Sequence, residues 1–260
     1  MITRTGTTTD ILIKEPCVKP DSTSIASPPS EELAHLQLLH LADSALPIGS
    51  LSHSFGLETL ISAGILQVGD LPEFLRGYLE EAGMLEAAAL REAFALASDP
   101  AGEFPAARWI ELNELLSALK PARETRFASG TLGRNFLRVA MSVSNLPALR
   151  KAWESAAEAD CLIHQSTAFG LASAALGFEA GRSTLAYLHQ IAANLVSACQ
   201  RLMPLGQTEA LRILWELKLT IVDVSARSMD GSVETVSCTM PLLDWGAMEH
   251  PALTTRLFVS

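Results

Sequence analysis

The sequence predicts an all-α fold, a single globular bundle of about eight to ten helices. Three observations carry that reading. Apolar residues recur at helical spacing through most of the chain, most cleanly where Leu185, Leu188, Ala192, Leu195, Cys199 and Leu202 step by three and four. Much of the 48% hydrophobic content is alanine and leucine, which form helices well and strands poorly. No alternating apolar and polar run is spaced for a sheet, and no repeat of fixed length occurs.

Residues 1–30 hold five threonines in the first nine positions, then Pro16, Pro20, Pro28 and Pro29, without apolar periodicity. This predicts a disordered N-terminal arm, with Ile11-Leu12-Ile13 as an alternative short strand or docking element. The helical domain covers 31–260. Ser30-Glu31-Glu32-Leu33 offers an N-cap followed by first-turn acids. Leu33, Leu36 and Leu39 then set a helical stripe that Leu38 and Leu41 widen. Pro47 ends this helix, and a second is expected over 54–62, stopped by Gly64. Asp70 and Glu73 suggest a capping box around Pro72, opening a helix to about Ser98 that Gly83 splits. Asp99-Pro100-Ala101-Gly102 reads as a loop. Helices follow over 104–119, from Pro121 to 143, and from Pro147 through Trp153. Residues 164–177 are small and apolar almost all round, which predicts a central helix. Beyond 185–202, a turn at Leu205-Gly206-Gln207 leads into a helix carrying Leu211, Leu214, Trp215, Ile221 and Val222. Residues 228–238 are polar and read as a loop, and 241–248 as a short apolar element.

Net charge narrows the function classes. At −10 the chain lacks the basic face of a nucleic-acid binder and is repelled by anionic lipid headgroups. No apolar run reaches the roughly 18–20 residues that span a bilayer, and the first residues lack the apolar core of a secretory signal. Cys17, Cys161, Cys199 and Cys238 are dispersed, which suits a reducing cytoplasm rather than a disulfide framework.

The stretch Leu38–Glu58 is the most specific local construction. One helix stops at Pro47-Ile48-Gly49, and another begins behind Ser50, Ser52, His53 and Ser54. A serine hydrolase built on Ser52 and His53, with Asp43 or Glu58 as the orienting acid, is one alternative. Against it, no G-x-S-x-G occurs, no strand feeds the turn, and adjacent residues on a helix diverge. Ser52 or Ser54 as a helix cap is the plainer reading. A second alternative is an independent nickel-binding protein. Cys161-x-x-His164 has ligand spacing on one helical face, but two donors do not close a site. No phosphate-binding loop motif is present. The arginines 123, 126, 134 and 138 form the most basic segment, suited to an anion or an acidic partner, or simply a solvated face.

Four stretches resemble one family. Leu41-Ala42-Asp43-Ser44-Ala45-Leu46-Pro47-Ile48-Gly49 with Ser52-His53-Ser54-Phe55-Gly56-Leu57-Glu58 resembles the N-terminal signature of the urease accessory protein UreF family. Pro121-Ala122-Arg123-Glu124 with Ser129-Gly130, then Arg201-Leu202-Met203-Pro204-Leu205-Gly206-Gln207-Thr208, and Arg256-Leu257-Phe258-Val259-Ser260 follow in the family's order. Ser50 stands where the family usually has a second glycine, and Val259 where a longer residue is usual. The resemblance implies an all-α, cytoplasmic, non-catalytic protein without cofactor that forms a homodimer. It implies that the protein bridges UreD (UreH in some organisms) and the GTPase UreG for nickel insertion into apo-urease. Arg256, Leu257, Phe258 and Ser260 are then the expected partner contacts. Asp43, Pro47, Gly49, His53, Glu58, Gly206 and Gln207 are the structural signature, the corner residues fixing the angle between the first two helices.

Overall fold

A computed structural model describes residues 30–97, 103–236 and 238–260. The expected N-terminal arm, apart from Ser30, and the loop 99–102 lie outside the described residues. The chain forms α1 (Glu31–Leu41), α2 (Leu57–Ser62), α3 (Leu71–Tyr78), α4 (Met84–Ala97), α5 (Ala106–Leu119), α6 (Arg123–Val143), α7 (Pro147–Glu158), α8 (Gln165–Ala175), α9 (Ala180–Leu202), α10 (Gln207–Arg227) and α11 (Pro241–Glu249). A π turn over Leu79–Gly83 joins α3 to α4 without a break, so ten helices stand in the bundle and no strand occurs among the described residues. Gly83 therefore widens the helix rather than splitting it.

The middle of the fold is α8. Every residue from Ile163 to Ser173 is buried, covered by α4, α6 and α9. Small side chains make this possible. A Cβ on Gly170 would lie 2.1 Å from the Leu90 carbonyl oxygen of α4, and one on Gly133 of α6 would lie 2.1 Å from that of Ile163. Ala87, Ala88, Ala89 and Ala93 of α4 are fully buried, so small side chains surround the seam and dispersion contacts are dense. Around this seam Phe136, Phe169 and Tyr187 stack in series, each ring pair 5.2 Å apart. The Trp109 indole donates to Ala152 O at 3.1 Å, which ties α5 to α7. Because its own chain covers all sides of α8, this helix has no face left for a dimer contact.

Local physics corrects several expectations. In α1, Ser30 caps Leu33 N at 3.3 Å as predicted, but Leu38 and Leu41 face the core while Leu33, Leu36 and Leu39 are exposed. Five leucines cover both sides of that helix, so periodicity alone does not choose between them. The second helix begins only at Leu57, because left-handed Phe55 (φ 51°) and Gly56 (φ 91°) interrupt the chain after Ser54. Asp70 does not cap α3. It completes a reciprocal box with Gln67 one turn earlier, and Glu73 pairs with Arg76 instead. Cys161 and His164 precede α8 in extended backbone and share no helical face. Helix α7 runs on to Glu158, and α10 buries Ile213, Leu217 and Ile221 while exposing Leu211, Trp215 and Val222.

Candidate functional site

The corner after α1 is shaped by backbone conformation. Gly49 takes φ 89°, which L side chains avoid, and opens a 3₁₀ turn over Ser50–Ser52. His53 is extended, and the left-handed pair Phe55 and Gly56 aims the chain into α2. A Cβ on Gly56 would lie 2.6 Å from Leu243 O, and one on Gly246 would lie 2.7 Å from Gly56 O. Two glycines thus let α2 and α11 cross in backbone contact.

The C-terminal segment closes on this corner. Val259 N donates to Ser52 O at 2.8 Å, and Ser54 N donates to Ser260 O at 2.5 Å. The Ser54 hydroxyl donates to the same oxygen at 3.0 Å and accepts from Glu58 N at 3.4 Å. Ser54, rather than Ser52, therefore serves the start of α2. The Glu58 carboxylate, 3% exposed, holds the tail. Its Oε1 accepts from Leu257 N at 2.6 Å, and its Oε2 accepts from Phe258 N at 3.2 Å. His250 Nε2 lies 2.7 Å from Oε2. A buried carboxylate with two successive backbone N–H groups and an imidazole nitrogen against it has a partner on each oxygen, which offsets its burial. His53 Nδ1 lies 2.7 Å from Ser260 Oγ, and burial lowers the imidazole pKa, favouring the neutral ring. The Arg201 guanidinium lies 4.1 Å over the Phe258 ring and donates to Leu51 O at 2.5 Å. Asn135 of α6 and Gln190 of α9 donate to Ile48 O and Asp43 O.

Stretches far apart in sequence therefore converge: the corner, the start of the 201–208 motif and the tail. Of the expected partner contacts, Arg256 and Leu257 are exposed, whereas Phe258 and Ser260 are buried against their own chain. Val259 is exposed as well, so the tail alternates outward and inward side chains. Within the signature, His53 and Glu58 bind the tail directly. Asp43 caps Ala45 N at 2.8 Å within its turn, and Pro47 is exposed. Gly206 and Gln207 head α10, where Gln207 accepts from Gln200, away from the tail. Ser54, Gly56, Arg201, Gly246 and His250 complete the junction. Ser54, Gly56 and Arg201 lie within the motifs, but nothing in the sequence points to Gly246 and His250, whose partners lie across the chain.

The catalytic alternative finds no support in the geometry. His53 bonds Ser260 rather than Ser52, and Glu58 is committed to the tail and His250. Among the described residues no cluster of three or more His, Cys, Asp or Glu is arranged to hold a metal. His164 instead bridges Ser117 and Ser129 at 2.9 and 3.0 Å. Burial, then the Lys120 ammonium, lowers its pKa to about 3.

Behind the corner lies a cavity of about 90 Å³, lined by Ser50, His53, Glu86, Lys120, Tyr187 and Asn194 among others. Glu86 and Lys120 form a buried ion pair there, with Tyr187 donating to Glu86 at 3.4 Å. Burial raises the Glu86 pKa, but the Lys120 charge and hydrogen bonds outweigh it and hold the carboxyl below its ordinary value. The pair fixes α4 against the end of α5, a specific contact rather than a large stabilisation.

The UreF family model matches residues 65–218. That span contains α3 to α9 and most of α10 but neither the corner nor the tail. The chain is 34% identical over 229 residues to the urease accessory protein UreF of a Nostoc strain, covering 86% of this chain and 95% of that protein. It is 30% identical over 237 residues to the protein of the same name from a Bradyrhizobium strain, covering 88% and 94%. Against that of Actinobacillus pleuropneumoniae serotype 3 it is 28% identical over 224 residues, covering 86% and 97%.

Proposed function

Because the chain belongs to the UreF family of urease accessory proteins, we propose that it is the scaffold that bridges UreD (or UreH) and the GTPase UreG during nickel insertion into apo-urease. It is an accessory protein rather than an enzyme. In this reading it works in the cytoplasm as a homodimer, and the tail–corner junction is its contact for UreD. One observation carries the reading: the tail is held rigidly by Phe258 and Ser260 while Arg256, Leu257 and Val259 face outward. A pre-ordered segment loses little conformational freedom on binding. Arginine supplies a bidentate donor for a partner carboxylate, and the two aliphatic side chains supply apolar contact. No helix of the described residues is long and apolar enough to cross a membrane.

The test is co-purification with UreD. The double substitution Arg256→Ala, Leu257→Asp touches only exposed side chains, so the helical signal and melting temperature should hold while UreD capture is lost. Deleting residues 254–260 should lose capture and also lower the melting temperature. Full capture by the double variant overturns the assignment of this face. A monomeric mass in light scattering at micromolar concentration overturns the homodimer.

A further inference from the structure

Three exposed arginines lie together on α6 without a carboxylate partner among the described residues, whereas Arg91, Arg150, Arg201 and Arg256, which also lack one, lie singly on other elements. Arg76, Arg108, Arg182, Arg212 and Arg227 each pair with a carboxylate. Arg123, Arg134 and Arg138 form no ion pair with any carboxylate of the described residues, although the chain carries 29 acidic residues against 19 basic ones. They share one exposed stripe, with Phe127 and Thr131, at steps of four, four, three and four, which spans about 22 Å of helix. Arg126 is turned inward, donating to Lys120 O at 2.7 Å.

The stripe is also pre-arranged. Arg134 and Arg138 lie over the Trp153 ring at 4.8 and 6.0 Å, and Arg123 lies over the half-exposed Phe127 ring at 5.3 Å. Aromatic stacking holds the guanidinium planes; one Arg138 nitrogen donates to Asn135 Oδ1 at 3.2 Å, and the remaining N–H groups of the stripe stay available. Two like charges one turn apart over a single indole destabilise a bare helix, and an opposing carboxylate relieves that. Beside Arg134 and Trp153 lies a cavity of about 150 Å³, lined by Gly130, Ala156, Leu162 and Ile163 and, among its polar groups, by Asp160, with room for one aliphatic side chain.

We infer that the α6 stripe with Trp153 docks an acidic protein segment, whose carboxylates meet Arg123, Arg134 and Arg138 and whose apolar side chain enters the cavity beside Trp153. A protein segment fits better than a nucleic acid or an anionic membrane. Those extend well past 22 Å, onto the surface of a chain with net charge −10, whereas a short acidic segment ends where the arginines end. This face is distinct from the tail and does not depend on the urease reading.

The test uses the full chain and a fluorescein-labelled synthetic peptide of four Glu-Glu-Leu-Asp repeats, read by fluorescence anisotropy at low salt. Saturable binding is expected. Arg134→Ala with Arg138→Ala should weaken it by about tenfold or more, since two charge-assisted contacts are lost. The Lys variants should also weaken it, because an ammonium does not reproduce a stacked fork. Arg108→Ala with Arg182→Ala, removing paired arginines elsewhere, should leave it unchanged, and circular dichroism should show every variant folded. Absent saturation, equal binding of a Lys-Lys-Leu-Lys repeat peptide, or an unchanged affinity in the α6 variants overturns the proposal. So does tighter binding of a single-stranded oligonucleotide or a phosphatidylserine vesicle through the same arginines.

Discussion

The α4–α8 seam and the tail–corner junction hold the molecule together by opposite means. At the seam, two backbones meet through glycine and alanine, and cohesion comes from close-packed apolar surface. At the junction, separate pieces of chain meet through hydrogen bonds centred on one carboxylate. The first interface tolerates no added volume, and the second tolerates no lost acceptor. Geometry is enforced by sterics in one region and by polar valence in the other.

Substitutions that violate each rule separate the two. Gly170→Leu drives a side chain into the Leu90 backbone, so the helices must part. We expect a loss above about 4 kcal/mol, read as collapse of the 222 nm signal or failure to express in soluble form. Glu58→Ala leaves the amides of Leu257 and Phe258 and the His250 ring without their acceptor, a loss of about 3 kcal/mol, at roughly 1 kcal/mol per group. Its signature is faster hydrogen exchange at those two amides with the core protected. Equal loss of protection in α8 would show that the junction and the seam unfold as one unit.

The buried polar cluster beside the seam gives a pH dependence. His164 is neutral in the fold, with its pKa near 3 against 6.5 for the free side chain. Below pH 6.5 the unfolded chain takes up a proton that folded His164 refuses, so stability falls as pH drops from about 6.5 towards 3, by up to about 1.4 kcal/mol per pH unit. Glu86, held below its ordinary pKa, acts in the same direction at the acid end. Denaturation midpoints for the wild type and His164→Gln should converge as pH falls, and parallel profiles would exclude His164 as the source. The smallest effect belongs to the exposed tail. Arg256→Ala should change stability by less than about 0.5 kcal/mol, since its side chain is exposed.

What could be read in advance follows the same division. The spacing of Leu185 to Leu202 placed α9, and the small residues of 164–177 marked α8 as central, because both signals sit within one helix. The junction was only half readable. The motifs named Glu58, His53 and the tail, but nothing at position 58 says that its partners are at 250, 257 and 258. Pairing across 192 to 200 residues leaves no periodic trace. The Glu86–Lys120 pair was hidden for a related reason: Lys120 beside Pro121 reads as a helix end, and burial of a lysine is decided by the elements around it. The tail was expected to contact partners with four residues, and the structure divides that set into two facing out and two facing in.

The distance in sequence between Glu58 and the segment that satisfies it also sets an order of events in folding. Local helices and neighbouring pairs form before contacts that close a loop of some 200 residues. The corner therefore spends the early part of folding with a solvated Glu58, and the tail locks it last.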